Sequence, residues 1–324
     1  MKNKITHYFY KKRLFLFSLI TIINLSAQTV TIPIVTSNNM ILLQTDSNNR
    51  LRTVYFGKPL EIESEYVAVS AGYNYDLSNQ GIYNSSYTFS GTWNLSEPAI
   101  QVKHADGNTS LELKYVSHKI EKIDANISTT SIVLKDPIYP FEVTLFYKVW
   151  AKENIIEQWT EIKNKEKKAL LLQKYASANL YFAGKDFYLT SFQGEYLKEM
   201  QPVETKLVQG IRTVDSKLGT RAMLLQTPNF MVSFGKPASE NEGTVIIGQL
   251  GWSSNFKLEF EIDSNKNLRF IAGINPFTSE YSLAPNVLFK TPSLIYALSN
   301  HGTGAASRNL HDWSRKYRLV DGQG

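Results

Sequence analysis

Cysteine is absent from the 324-residue sequence, so the chain has neither disulfide bonds nor thiolate metal ligands. A lipid-anchored lipoprotein is also excluded, because its anchor is attached to a cysteine. Histidine is scarce, with five residues scattered along the chain. No G-x-S-x-G nucleophile elbow, H-E-x-x-H zinc motif or glycine-rich phosphate loop occurs. These absences leave no catalytic or metal-binding signature, and we expect no cofactor.

Long hydrophobic runs are lacking as well. The most apolar segment, Leu14–Leu25, falls short of the roughly 18 residues needed to span a bilayer. Basic residues 11–13 precede it and the small residues Ser26 and Ala27 follow it, as in a secretory signal peptide. We predict that residues 1–27 direct export to the periplasm or the medium and are removed; an uncleaved membrane anchor is the alternative.

The mature chain also lacks a strong charge of either sign. Residues 1–27 hold five basic and no acidic side chains, so their removal lowers the net charge from +6 to +1. A nearly neutral protein has little electrostatic attraction for nucleic acid or for an anionic membrane surface. We therefore expect neither partner after cleavage.

What remains is dominated by the patterns of β-strands. Alternating or β-branched runs follow one another from Thr29 to Leu298, separated by turn sequences rich in Asp, Asn, Gly and Lys. No run between Val30 and Ser299 has a sustained helical stripe. The pattern predicts an all-β domain, residues 28–299, built as a large sandwich of antiparallel sheets. The predicted strands include 29–36, 51–56, 110–116, 130–134, 141–150, 154–164, 170–182, 244–250, 256–263, 268–273 and 294–298.

The C-terminal segment, residues 300–324, has a different period. Ala306, Leu310, Trp313 and Tyr317 recur at spacings of four, three and four, which places them on one face of an amphipathic helix. We predict that this helix ends the β-domain and serves as a linker.

Two kinds of side chain are candidates for sugar chemistry. Glycosidases use paired carboxyl groups, and Glu195, Glu199 and Glu204 cluster with Asp215 nearby, but basic residues interleave with them and favour ion pairs on a solvated surface. Aromatic rings can stack on the C–H face of a sugar, and two Trp residues lie in polar loops at 90–95 and 251–255. The residues alone favour a role at the edge of the core for each Trp.

A series of motifs runs in order from residue 54 to residue 313. It comprises Val54–Lys58, Val102–Gly107, Leu113–His118, Gly210–Gly219, Leu250–Glu261, Asn267–Phe277, Tyr281–Pro285, Phe289–Ser293 and Ala306–Trp313. The series resembles the N-terminal domain of family 36 glycoside hydrolases, the retaining α-galactosidases and raffinose-type enzymes. The resemblance implies a galactose-mutarotase-like β-supersandwich.

The resemblance also implies that the catalytic residues are not in this chain. In the family, both catalytic aspartates lie in a (β/α)₈ barrel that follows this domain, and their K-W-D-x-N type motifs do not occur here. The implied partners are that catalytic domain, an α-galactoside oligosaccharide bound through it, and a further copy of the chain in a homo-oligomer.

One loop of the family approaches a neighbouring active site with the pattern G-D-aromatic-R. Gly91 and Trp93 match it, whereas Thr92 and Asn94 replace the acid and the base. Trp93 is therefore the predicted substrate-binding residue, without the charged clamp. Two other functions stay open, a stand-alone exported carbohydrate-binding module and a mutarotase-like enzyme, although the sequence offers no acid–base pair for the latter.

Overall fold

The computed structural model describes residues 29–71, 84–91, 96–184, 186–221 and 225–319. In chain order the strands are β1 (Thr31–Val35), β2 (Met40–Thr45), β3 (Leu51–Gly57), β4 (Ile100–Lys103), β5 (Lys114–Lys122), β6 (Ile127–Lys135), β7 (Phe141–Trp150), β8 (Ile155–Asn164), β9 (Leu170–Phe182), β10 (Phe187–Glu195), β11 (Lys198–Lys206), β12 (Gly210–Asp215), β13 (Leu225–Phe234), β14 (Thr244–Leu250), β15 (Phe256–Ile262), β16 (Leu268–Ile274), β17 (Tyr281–Leu283), β18 (Leu288–Lys290) and β19 (Leu294–Ser299). The helices are α1 (Glu63–Ala71) and α2 (Gly302–Tyr317).

The strands form two large sheets and one small one. The ten-stranded sheet has the order β11-β10-β13-β14-β19-β8-β7-β6-β5, with β18 also paired to β8. The six-stranded sheet has the order β12-β15-β16-β9-β17, with β4 paired to β9, and β1-β2-β3 form a sheet of their own. Neighbouring strands run antiparallel throughout the described ladders. The predicted all-β architecture with a C-terminal helix is confirmed.

The main core lies between the two large sheets. Phe230 of the ten-stranded sheet packs on Phe260 and Phe270 of the six-stranded sheet, with ring centroids 6.0 and 4.5 Å apart. These three side chains are almost fully buried. Phenylalanine rings in such tilted contacts combine a large buried apolar area with favourable ring geometry. Burial of this aromatic layer fixes the two sheets face to face.

Helix α2 covers part of the outer face of the ten-stranded sheet. Trp313 is fully buried and meets Trp150 edge to face at 5.3 Å. Ala306 is also buried, and Leu310 and Tyr317 pack against the same cluster, so the predicted apolar face is confirmed. At the end of the helix, Lys316 Nζ lies 2.6 Å from Glu153 Oε1.

Helix α1 is a correction to the sequence analysis, which expected no helix before residue 300. The helix has nine residues and only a weak apolar stripe, so periodicity misses it. Its start is fixed by Glu65, whose carboxylate accepts hydrogen bonds from the backbone N–H groups of Glu61 and Ile62, a local capping interaction. Tyr66 and Val69 then pack against a small cluster on the β1-β2-β3 sheet.

Neither helix in the described ranges is long and apolar enough to cross a membrane. The predicted leader, residues 1–27, lies outside the described residues.

Candidate functional site

The predicted substrate-binding residue Trp93 lies outside the described residues, but both ends of its loop are described. On one side, the Ser90 N–H donates to the Ile100 carbonyl at 3.1 Å, and the Ser90 carbonyl accepts from the Leu111 N–H at 3.0 Å. On the other side, the Glu97 N–H donates to Glu261 Oε2 at 3.2 Å. These hydrogen bonds hold residues 90 and 97 against the six-stranded sheet.

A cluster of buried charges anchors the Glu97 side of this loop. Lys174 of β9 is 6% exposed and places Nζ 2.5 Å from Glu97 Oε1 and 2.6 Å from Glu259 Oε2. Glu259 is itself buried and also accepts from Lys257 Nζ at 2.6 Å. Burial raises the pKa of the Glu97 carboxyl, but the charge and hydrogen bond of Lys174, the charge of Lys257 and a hydrogen bond with Glu259 together outweigh this, so the net shift of its pKa is downward. Glu97 is therefore held as a carboxylate.

Trp252 follows β14 in a tight turn that the structure describes in full. The Gly251 N–H donates to the Ser293 carbonyl at 2.8 Å, and the Trp252 N–H donates to the Leu250 carbonyl at 2.9 Å. The indole Nε1–H donates to the Asn255 carbonyl at 3.1 Å, and Thr220 Oγ1 donates to the Trp252 carbonyl at 3.1 Å. The ring is half-buried, since one part of it packs against the main core. Its orientation is thus fixed by the turn, the indole hydrogen bond and the core.

Beside Trp252 lies an open groove of about 480 Å³, within the range of about 300–1,000 Å³ that is usual for small-ligand sites. Its floor includes Asn229 of β13 and Gln249 of β14, which face each other directly across the ladder. Thr220, Thr227 and Ser253 add hydroxyl groups, while the remaining wall is apolar. The full lining is Met200, Thr220, Thr227, Pro228, Asn229, Gln249, Leu250, Gly251, Trp252 and Ser253.

The candidate acids Glu195, Glu199 and Glu204 lie on the exposed hairpin of β10 and β11 at the edge of the sheet. Glu195 makes a long surface ion pair with Lys198, 3.9 Å between Oε2 and Nζ. Asp215 instead pairs with Lys217 at 2.5 Å and accepts from Asn275 Nδ2 at 3.2 Å. This arrangement agrees with the surface ion pairs that the sequence favoured.

His104 is buried and lies at the start of the 104–108 turn. Its Nδ1 lies 2.7 Å from Glu166 Oε1, and its ring stacks on Tyr139 at 3.7 Å between centroids. The Tyr139 hydroxyl donates to Asp106 Oδ2 at 2.8 Å. The H-x-D-G motif marks this turn in the sequence. Its histidine contacts Glu166 and Tyr139, and its aspartate accepts a hydrogen bond from Tyr139. Among the described residues no group of three or more potential metal ligands comes together.

The stacked antiparallel sheets with a terminal helix define a large β-sandwich domain. The model for the glycosyl hydrolase family 36 N-terminal domain matches residues 49–284, and the chain belongs to that family. The predicted resemblance is confirmed.

Known relatives agree with this assignment. The α-galactosidase Mel36A of Lactobacillus acidophilus is 26% identical over 294 residues, covering 83% of this chain and 40% of its own length. The α-galactosidase AgaA of Geobacillus stearothermophilus is 28% identical over 250 residues, covering 73% of this chain and 34% of its own length. The chain therefore spans about two fifths or less of these relatives.

Solved structures share the fold. The α-galactosidase from Lactobacillus brevis superposes with a TM-score of 0.82 at 20% identity, over 90% of this chain and 42% of its own. The Geobacillus stearothermophilus AgaA structure in complex with stachyose superposes with a TM-score of 0.82 at 24% identity, over 88% of this chain and 43% of its own.

Proposed function

We propose that this chain is the non-catalytic N-terminal domain of an exported α-galactosidase, a retaining glycosidase that removes terminal α-galactosyl groups from oligosaccharides. The observation that carries the proposal is the family match over residues 49–284, together with relatives whose names all describe α-galactosidases. The catalytic carboxyl groups would belong to a further domain of the parent protein. In this arrangement the sandwich supports that domain and contributes to the rim of the active site.

The environment of the acids in this chain supports a non-catalytic role. A retaining glycosidase needs two carboxyl groups only about 5 Å apart, one of which keeps its proton at the start of the reaction. In the described part of the chain Glu97 and Glu153 have lowered pKa values: burial raises each, but lysine charge and hydrogen bonds outweigh it. A carboxyl group that loses its proton easily is poorly suited to act as a general acid.

Trp93 is the proposed contact of this domain with substrate. The loop that carries it is fixed at both ends, through Ser90 and Glu97, to the six-stranded sheet. An anchored loop can present an aromatic ring to a sugar with little loss of conformational entropy on binding. The ring would stack on an oligosaccharide at the active-site rim, and homo-oligomerisation would bring the loop to a neighbouring copy's site.

Two measurements test the proposal. The purified chain should not hydrolyse p-nitrophenyl α-galactoside, whereas the protein expressed from the reading frame extended past residue 324 should. Turnover by the chain alone would contradict the assignment. In the extended protein, Trp93→Ala should raise KM for stachyose far more than KM for the nitrophenyl substrate, which lacks the distal sugars.

Export is a separate part of the proposal. It rests on the sequence of residues 1–27, with a basic start, a short apolar run and a small-residue exit. N-terminal sequencing of the protein recovered from the periplasm or medium should begin at Gln28. Recovery of the intact N-terminus in the membrane fraction would instead support the uncleaved anchor.

A further inference from the structure

The groove beside Trp252 differs from the rest of the surface in its charge. All ten of the described residues that line it are neutral, although one fifth of the sequence is Asp, Glu, Lys or Arg. A phosphate, a carboxylate or a cation would find no counter-ion there. The amide groups of Asn229 and Gln249 and the hydroxyl of Ser253 can instead donate to and accept from a neutral polyhydroxy ligand.

The position of the groove explains why these polar side chains are free to bind. On the outer face of the ten-stranded sheet, Ile247 and Val245 are covered by helix α2. Gln249 lies two residues further along β14, beyond the part of the strand that α2 covers, and its side chain is exposed. Its cross-strand neighbour Asn229 faces the same way, because directly opposite residues of an antiparallel ladder share a face. The sheet therefore changes from an apolar helix-binding face to an open amide-bearing one.

Trp252 supplies the aromatic wall that such a ligand requires. Its Nε1–H is already bonded to the Asn255 carbonyl, so the ring contributes a surface rather than a hydrogen bond. A ring whose orientation is fixed beforehand loses no rotamer freedom when a sugar stacks on it. Met200 also lines the groove, with φ of 54°, a left-handed conformation that is uncommon for methionine.

We propose that this groove is a binding site for a neutral oligosaccharide, with Trp252 as the stacking platform and Asn229 and Gln249 as the hydrogen-bonding floor. The site belongs to this chain alone. None of the described residues that flank Trp93 lines the groove, and binding there does not depend on the activity of any further domain. The proposed function and this site can therefore fail independently.

Calorimetric titration of the full chain with stachyose tests the proposal, with trigalacturonate as a charged sugar of similar chemistry. Stachyose should bind with a dissociation constant in the millimolar range or tighter, and trigalacturonate markedly more weakly. Trp252→Ala should weaken stachyose binding at least tenfold. Gln249→Ala, at an exposed position that does not support the core, should weaken it about threefold to tenfold, which is the loss of one hydrogen bond.

Trp159→Ala is the matched control. Trp159 is also half-buried, but Phe146 stacks on its ring at 4.8 Å and Lys290 Nζ lies 4.8 Å from its centroid, so its ring is already occupied. Its removal should leave stachyose affinity unchanged. Trp252→Phe, which keeps an aromatic face, should retain most of the binding and shows that a loss in Trp252→Ala is not a loss of folding.

Three results would overturn the proposal. Stachyose could fail to bind the folded chain, Gln249→Ala and Trp252→Ala could bind as the wild type does, or Trp159→Ala could lose as much affinity as Trp252→Ala. A fourth result concerns the longer protein: if stachyose no longer reaches Trp252 when the chain is joined to its following domain, the groove is an interdomain contact instead.

Discussion

Replacement of Lys174 by methionine tests whether the buried charge cluster holds the domain together. Methionine keeps most of the apolar stem of lysine and removes the charged ammonium group with its hydrogen-bond donors. In the wild type, Lys174 Nζ bridges Glu97 and Glu259 at 2.5 and 2.6 Å, and the side chains of Lys174 and Glu259 are 6% and 4% exposed. Without Lys174, Glu259 stays buried with Lys257 as its remaining ion-pair partner.

Removal of one partner from a buried ion pair usually costs about 3–5 kcal/mol, because the other charge is left uncompensated. Glu259 keeps Lys257 and Glu97 is partly exposed, so we expect the lower end, about 3 kcal/mol. Lys257→Met is the matched control, since Lys257 Nζ also lies 2.6 Å from Glu259 but its side chain is 27% exposed. Lys257 is only partly buried and Glu259 keeps the buried Lys174 as its partner, so the loss in Lys257→Met should be smaller, below about 1 kcal/mol.

Urea unfolding of the three proteins at pH 7 measures both differences. Equal losses for Lys174→Met and Lys257→Met, or a loss below about 1 kcal/mol for Lys174→Met, would refute the argument from burial. The double variant Lys174→Met/Glu259→Met should be more stable than Lys174→Met alone, because replacement of both charges removes the uncompensated one.

The difference in stability between the wild type and Lys174→Met should depend on pH. Burial raises the pKa of Glu97, but the charge and hydrogen bond of Lys174, with smaller contributions from Lys257 and Glu259, lower it by more, so the folded pKa is below that of the unfolded chain. The stabilisation is therefore complete above the pKa of an unfolded glutamate and is lost as the pH falls through the lower, folded value. The stability gap between the wild type and Lys174→Met should shrink in acid.

Three further changes should have the following outcomes. Trp313→Ala should destabilise the chain by about 3–5 kcal/mol in urea unfolding, because Trp313 is fully buried between α2 and the sheet. Gly248→Ala should be clearly destabilising, since the added Cβ would lie 2.6 Å from the Ile295 carbonyl oxygen, whereas Gly251→Ala should cost much less, since its Cβ would lie 3.3 Å from the Ser293 carbonyl oxygen. Lys316→Met should raise the pKa of Glu153 in a carboxyl NMR titration, because burial raises this pKa and the hydrogen bond from Lys316 contributes to lowering it. An unchanged Glu153 pKa in the variant would contradict the docking of α2.

The long core strands were predictable because each of them buries at least one of its faces in the core. The predicted ranges 141–150, 170–182 and 244–250 match β7, β9 and β14 residue for residue, since their alternation or apolar run is uninterrupted. The predicted range 110–116 was wrong at its start: β5 begins at Lys114, and the preceding residues form the loop beside Ser90. Edge strands such as β11 are exposed along their length, so they carry no period that a sequence can reveal.

The site was predictable only in part. Trp252 stood out as an aromatic residue in a loop of Gly, Ser and Asn, for which the sequence favoured a role at the edge of the core; its ring does pack against the core, and it also lines a groove. Asn229 and Gln249 could not be found in this way, because they are twenty residues apart and become neighbours only through the register of β13 and β14. The chemistry of a single residue can indicate a candidate aromatic wall of a site. The polar residues beside it on a sheet can be found only from the pairing of strands that are distant in the sequence.

The use of buried acids gives a general argument about the chemistry of this domain. Five carboxylate side chains are buried in the described part of the chain, and each has a basic partner: Asp46 with Arg52, Glu153 with Lys316, Glu157 with Arg318, Glu166 with His104, and Glu259 with Lys174 and Lys257. Each pair joins segments that are separate in the sequence or neighbouring on a strand, so these acids stabilise tertiary structure. Each of these acids is paired with a basic side chain, whereas a double displacement needs two carboxyl groups about 5 Å apart that face the same sugar. The groove beside Trp252 is lined by neutral residues instead. A ligand that is bound without being cleaved needs stacking and hydrogen bonds but no titrating group.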